Sequence, residues 1–131
     1  MKNDEQLKTD IYRYIKTTAL YSEVSGELSK TKRPKDSKLE DIVISVKSNT
    51  NGQKQIAYVN VHVYSPAMVI DRQKEEDTAR LNVLCTLSAD AFESFFIDGV
   101  HYTLNTQRVT ELNTDEYLIN NEIKCVIINE N

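Results

Sequence analysis

The sequence predicts an α+β domain: a mainly antiparallel sheet of four to five strands with two main helices, in the order α-β-β-α-β-β. Between Lys54 and Tyr64, apolar Ala57, Val59, Val61 and Val63 alternate with Tyr58, Asn60, His62 and Tyr64. That period of two marks a strand whose faces meet different surroundings. Just upstream, Asn51-Gly52 is a hairpin signal, because both residues accept positive φ. Two further segments space their apolar residues by three and four, as helices that cover a sheet do.

The first helix is predicted from Asp4 to about Leu20. Leu7, Ile11 and Ile15 form one stripe, with Tyr14 and Thr18 beside it and Tyr12 widening it. Asn3 or Asp4 can cap its start, where acidic Asp4 and Glu5 suit the positive end of the helix dipole. Gly26 breaks the pattern, and Val24 and Leu28 around it suit a short extended piece. Ser29 to Lys38 is polar and basic and contains Pro34, so an exposed loop is expected. A strand then begins at Leu39, with Ile42, Ile44 and Val46 on one face, and the turn at Asn51-Gly52 leads into its partner, Lys54 to Tyr64.

The second helix is predicted from about Asp71 to Phe96, on the spacing of Leu81, Leu84, Leu87, Ala91 and Phe95, with Val83 and Phe92 broadening the face. Glu75, Glu76 and Asp77 then fall in its first turn, and Ser88 to Asp90 is a point at which it could divide in two. Asp98-Gly99 ends it. Val100 to Leu112 reads as a strand, Asn113-Thr114-Asp115 as a turn, and Glu122 to Asn129 as a final strand rich in β-branched residues. Strands joined by short turns are expected to be antiparallel neighbours.

At 131 residues the chain suits a single domain, residues 1–131, around one core. Its composition, 40% hydrophobic and 27% charged, is that of an ordinary globular protein, and 3 glycines and 2 prolines argue against low complexity. Apolar runs such as Cys125 to Ile128 fall far short of the roughly 20 residues that cross a bilayer. The charged start, Met1 to Gln6, lacks the apolar core of a signal peptide, so the protein is expected to stay where it is made. Cys85 and Cys125 stand apart without metal-ligand spacing and are expected as buried thiols. A net charge of −4 argues against a general nucleic-acid binder.

No catalytic, cofactor or metal signature emerges. A nucleophile needs an orienting base, and neither His62, on the outer face of a strand, nor His101, after a turn, has a partner that spacing selects. Zinc would need about four ligands, which Cys85, Cys125, His62 and His101 supply only by converging from distant segments. The three glycines, at 26, 52 and 99, build no phosphate loop. Glu75, Glu76 and Asp77 would point in different directions on a helix, and Asp71, Arg72 and Arg80 suit surface pairing.

Two candidate surfaces remain. Tyr58, His62, Tyr64 and Tyr102 would make a polar aromatic face, either an interface, where Tyr is enriched, or a cover for the sheet beneath a helix. The basic loop of Lys30, Lys32, Arg33, Lys35 and Lys38 either meets phosphates, without aromatic residues to stack bases, or is solvated or meets an acidic neighbour.

The element order resembles the tail terminator and tail-completion proteins of long-tailed bacteriophages and the related head–tail joining proteins. The resemblance spans nearly the whole chain. It runs through the helix Asp10-Ile11-Tyr12-Arg13-Tyr14-Ile15, the strand Asp41-Ile42-Val43-Ile44-Ser45-Val46 and the strand Ala57-Tyr58-Val59-Asn60-Val61-His62-Val63-Tyr64. It continues in Asp71 to Arg80, opening the central helix, and in a terminal β-hairpin. The resemblance implies a non-enzymatic subunit without cofactor that forms a ring, typically hexameric, at the head-proximal end of the tail. It implies tail-tube and head-connector proteins as partners, at most transient contact with DNA in the channel, no membrane, and a place in the virion after assembly in the bacterial cytoplasm. The long Lys30 to Lys38 loop departs from the pattern and leaves terminator and other neck component both open. A protein-binding module of a secretion or toxin–immunity system is the alternative expectation.

Overall fold

A computed structural model describes residues 2–50, 54–70, 73–113 and 115–128. The helices are α1 (Asp4–Ile15), α2 (Ala19–Glu23) and α3 (Thr78–Phe92). The strands are β1 (Leu28–Ser29), β2 (Ile42–Thr50), β3 (Lys54–Pro66), β4 (Met68–Ile70), β5 (Gln73–Glu75), β6 (Ser94–Ile97), β7 (Val100–Asn113) and β8 (Glu116–Ile128). Six strands form one sheet in the order β1-β2-β3-β8-β7-β6, and β4 and β5 form a separate ribbon. All pairings are antiparallel except β1 with β2, which makes the sheet mixed. The α+β class holds; the expected strand count and order are corrected to this arrangement.

The alternation in β3 sets the sheet's two faces. Ala57, Val59, Val61 and Val63 are completely buried, and in register with them stand Ile42, Ile44, Ile119, Ile123 and Cys125. The helices supply the other side of this core. Leu7, Ile11 and Ile15 of α1 are fully buried, each worth about 1.5–3 kcal/mol of transfer free energy. Asn3 caps α1 in a reciprocal box: its side chain accepts from the Gln6 amide at 2.9 Å, and Gln6 accepts from the Asn3 amide at 2.9 Å. Leu81, Leu84, Ser88 and Phe92 face inward from α3. Inside, Asn121 donates to the Val61 carbonyl, and Gln107 donates to both Asn121 and the Cys85 carbonyl, fastening α3 to β7 and β8.

Several expected elements are corrected. The first helix ends at Ile15, because the β-branched Thr17 and Thr18 turn their hydroxyls back onto the Tyr14 and Ile15 carbonyls at 2.6 and 2.7 Å. A separate short helix, α2, follows. The second helix starts at Thr78, capped by Asp77, whose side chain accepts from the Arg80 amide at 3.1 Å. The acidic residues therefore precede it, and β4 and β5 occupy the segment read as its start; Asp71 and Arg72 lie outside the described residues. Ser88 is buried within α3 and does not divide it.

Phe95 and Phe96 belong to β6. Asp98-Gly99 is the two-residue turn between β6 and β7, with φ of 49° and 79°, and Ile97 pairs with Val100 across it. The first long strand begins at Ile42, leaving Leu39 half exposed, and β8 begins at Glu116 well before the expected Glu122. Asn51-Gly52 lies outside the described residues, but Thr50 pairs with Ile56 as a hairpin requires.

Candidate interaction surface

Tyr58, His62 and Tyr64 project from the face of β3 opposite the helices, together with Asn60, and all four are partly buried. Cross-strand rows build this face: Ser45–Asn60–Glu122, Val43–His62–Asn120 and Tyr64–Leu118–Thr110. Burial pushes the His62 imidazole below its ordinary 6.5, which favours the neutral ring. Asn60 Oδ1 and Asn120 Oδ1, buried in the adjoining rows, have no hydrogen-bond partner among the described residues.

Tyr102 does not join this face, and its assignment as an interface residue is corrected. It pairs with Cys125, which pairs with Ala57, so all three point to the helix side. Its side chain is completely buried and stacks on Phe95 at 4.8 Å, and Phe95 stacks on Tyr14 at 3.8 Å. The Tyr102 hydroxyl finds no partner among the described residues, and burial raises its pKa. Aromatic type suggested an interface, but the parity set by Val100 and Tyr102 places the ring in the core.

The basic loop divides. Lys32, Lys35 and Lys38 are exposed, while Lys30 donates to Thr9 at 3.3 Å and lies over the Tyr12 ring. Arg33 turns inward, against the expectation of a solvated loop. Its Nε donates to Asp41 at 2.7 Å, one Nη to the Leu39 carbonyl at 2.8 Å, and the other pairs with Glu116 at 2.5 Å. Its guanidinium sits 4.2 Å from the centroid of Tyr64. The loop and the aromatic face, unconnected in the sequence, thus meet at one corner of the sheet.

Asp41 is the centre of that corner. Its side chain is 1% exposed and also accepts from Ser37 at 2.5 Å and from the Glu27 amide at 2.8 Å. Burial alone would raise its pKa, but the bonds from Ser37, Arg33 and Glu27 outweigh burial and hold it below the usual carboxylate range. Gly26 makes room: a Cβ there would fall 2.2 Å from Asp41 Oδ1 and 2.8 Å from the Glu40 carbonyl. Next to it, Arg80 grips Glu40 through two bonds of 2.6 and 2.7 Å and also reaches Glu23, and the Arg80 bond is the main cause of a lowered Glu40 pKa. Asp41 and Glu116 were not singled out in the sequence; Arg33 stands eight positions before Asp41, but no periodic spacing ties a loop Arg to it, and Glu116 lies far along the chain.

His101 stacks on Phe96 at 4.2 Å and shares a 2.9 Å hydrogen bond with Ser94. Cys125 is buried, with its thiol pushed up to about 12, and partly buried Cys85 is also raised by burial. Among the described residues, no group of three or more His, Cys, Asp or Glu is placed to hold a metal ion, and no helix is long and apolar enough to cross a membrane.

The surface has further features that the sequence did not reveal. Among the described residues the β4–β5 ribbon pairs only with itself, and it leaves Met68 38% and Val69 66% exposed. The far end of β7 leaves Val109 and Leu112 each 44% exposed. Comparison of the chain with protein-family models and with curated proteins finds no match.

Proposed function

We propose that this chain is a non-enzymatic structural protein of a phage or prophage particle, a ring-forming subunit that ends the tail or joins it to the head. The observation that carries the reading is the incompleteness of the single subunit's surface. A two-stranded ribbon is marginal by itself in water, yet β4–β5 stands apart from the main sheet with Met68 and Val69 exposed. Neighbouring copies would complete such a surface.

The element order supports the same reading. An N-terminal helix, a β2–β3 hairpin, a central helix and a β7–β8 hairpin occur in the sequence of the tail terminator resemblance. The core helices seal one face of the sheet, leaving the Tyr58, His62 and Tyr64 face and the strand edges to meet sister copies, tail-tube protein and head connector. A net charge of −4 suits a channel that passes DNA without holding it.

Sedimentation velocity across a concentration range, with and without tail-tube protein, tests the proposal. A discrete ring, either spontaneous or triggered by the tube, is expected. A strict monomer under both conditions would overturn the reading.

A further inference from the structure

The two edges of the main sheet are bare along diagonally opposite lengths. At the end marked by the row Ile42–Val63–Ile119–Val109, β1 covers β2 at Ile42 and Val43, whereas no described strand covers the outer edge of β7. At the other end, marked by Thr50–Ile56–Val126–His101, β6 covers β7 only from Val100 to Thr103, and β2 is the uncovered strand. The bare stretches are therefore Ile44–Thr50 on β2 and Leu104–Asn113 on β7. Proteins normally cover or blunt such lengths of unpaired backbone. The bare stretch of β7 contains no proline or lysine but carries bulges at Leu104/Thr106 and Glu111/Asn113, and the bare stretch of β2 carries Lys47 in a bulge between Val46 and Ser48, which leaves the regular lengths between them for pairing.

From these edges we infer that copies of this chain join by strand addition, the bare part of β7 in one subunit pairing antiparallel with the bare part of β2 in the next. The inference rests on the ring-forming reading and supplies its contact. Strand direction fits: β2, β3, β8 and β7 alternate, so a neighbour facing the same way presents β2 antiparallel to β7. The two surfaces differ, as a head-to-tail contact requires. The covers fit as well, because β1 and β6 stand at opposite ends and leave the facing lengths free.

The faces restrict the register. Ser45 and Thr110 both belong to the uncovered face, through the rows of Asn60 and Leu118, while Val46 and Val109 belong to the helix face. A continuous sheet must match like with like, which sliding the neighbour by about four residues achieves, setting Ser45 opposite Thr110 and Val46 opposite Val109. Four residues are about 13 Å along a strand, and four strands span about 19 Å across a sheet. Each step then corresponds to a strand tilt of about 35°, at the lower edge of the range found where sheets close on themselves. The stagger thus suits closure into a ring.

Cysteine scanning tests the contact. Ser45→Cys is combined in turn with Arg108→Cys, Val109→Cys, Thr110→Cys, Glu111→Cys and Leu112→Cys in a Cys85→Ser background; the assembled protein is oxidised mildly and run on a non-reducing gel. A ladder of multimers is expected to peak at Thr110→Cys, about ten-fold above Val109→Cys and Glu111→Cys, because side chains on opposite faces cannot be bridged. Each single variant is expected to give no ladder, and thermal melts show which variants remain folded. Rings without any Ser45 cross-link among the folded variants would overturn the contact and leave the ring reading standing. A dimer from Thr110→Cys alone would also overturn it, in favour of β7 pairing with itself. No oligomer even from the parent protein with tail-tube protein would remove both.

Discussion

Replacing Arg33 by methionine keeps the length of the side chain and its apolar stem while removing its charge. In the native corner Arg33 serves Asp41, Glu116 and the Leu39 carbonyl, and its own side chain is only 15% exposed. Removing one partner of a buried pair commonly costs about 3–5 kcal/mol. Asp41 keeps the donors Ser37 and Glu27, so a cost about 1 kcal/mol below that range, about 2–4 kcal/mol, is expected here. For a chain of this length that is a fall of about 6–16 °C in Tm, at roughly 3–4 °C per kcal/mol. Urea denaturation at pH 7 measures the difference directly.

The pH dependence separates charge from packing. The folded pKa of Asp41 lies below its unfolded value of 3.8, so its contribution is present above pH 3.8 and disappears as pH falls through the folded value. The gap between parent and Arg33→Met should therefore be full at pH 7 and narrow steadily below about pH 4. A gap under about 0.5 kcal/mol at pH 7, or one that does not change down to low pH, would refute the assignment of Arg33 as the counter-charge of this corner.

Gly26→Ala places a methyl group against Asp41 and the Glu40 carbonyl and should cost about 1–3 kcal/mol or more by denaturation, since yielding would break the bonds of Asp41 to Ser37, Arg33 and Glu27 or shift the Glu40 backbone. Tyr102→Phe removes a buried hydroxyl without a partner among the described residues; stability should stay level or rise by up to about 1 kcal/mol, and a clear loss would reveal a hidden bond. Cys125, buried and with its thiol pushed up to about 12, should react with an aromatic disulfide reagent only after unfolding. Modification at the native rate of an exposed thiol would contradict its placement.

Period-2 patterning in β3 and the Leu7, Ile11, Ile15 stripe were legible because each face of those elements meets one environment throughout. The second helix was not, for two physical reasons. Glu75, Glu76 and Asp77 suit a first helical turn as well as the approach to an N-cap, and only the bond from the Arg80 amide to Asp77 settles which. Phe95 continues the apolar spacing of α3, although its neighbour Asp98-Gly99 carried a hairpin signal that favoured a strand before it. On the candidate surface, Tyr58, His62 and Tyr64 followed from alternation alone. Tyr102 was assigned by residue type instead of parity, and Arg33 by charge instead of its contacts with Asp41, eight positions on, and with distant Glu116. Contacts between segments far apart in the chain leave no periodic trace.

The place of β8 has a consequence for how the polypeptide is made. It follows every other described strand in the chain, yet it lies between β3 and β7 and bonds to both along their length. Asn121 and Val61, sixty positions apart, meet across one of those seams. During translation the β2–β3 and β6–β7 hairpins can form early, but nothing joins them until the ribosome has released residues up to Ile128. Until then β3 presents an open flank to any other nascent chain, which makes this protein's biogenesis a contest between finishing itself and pairing with a stranger.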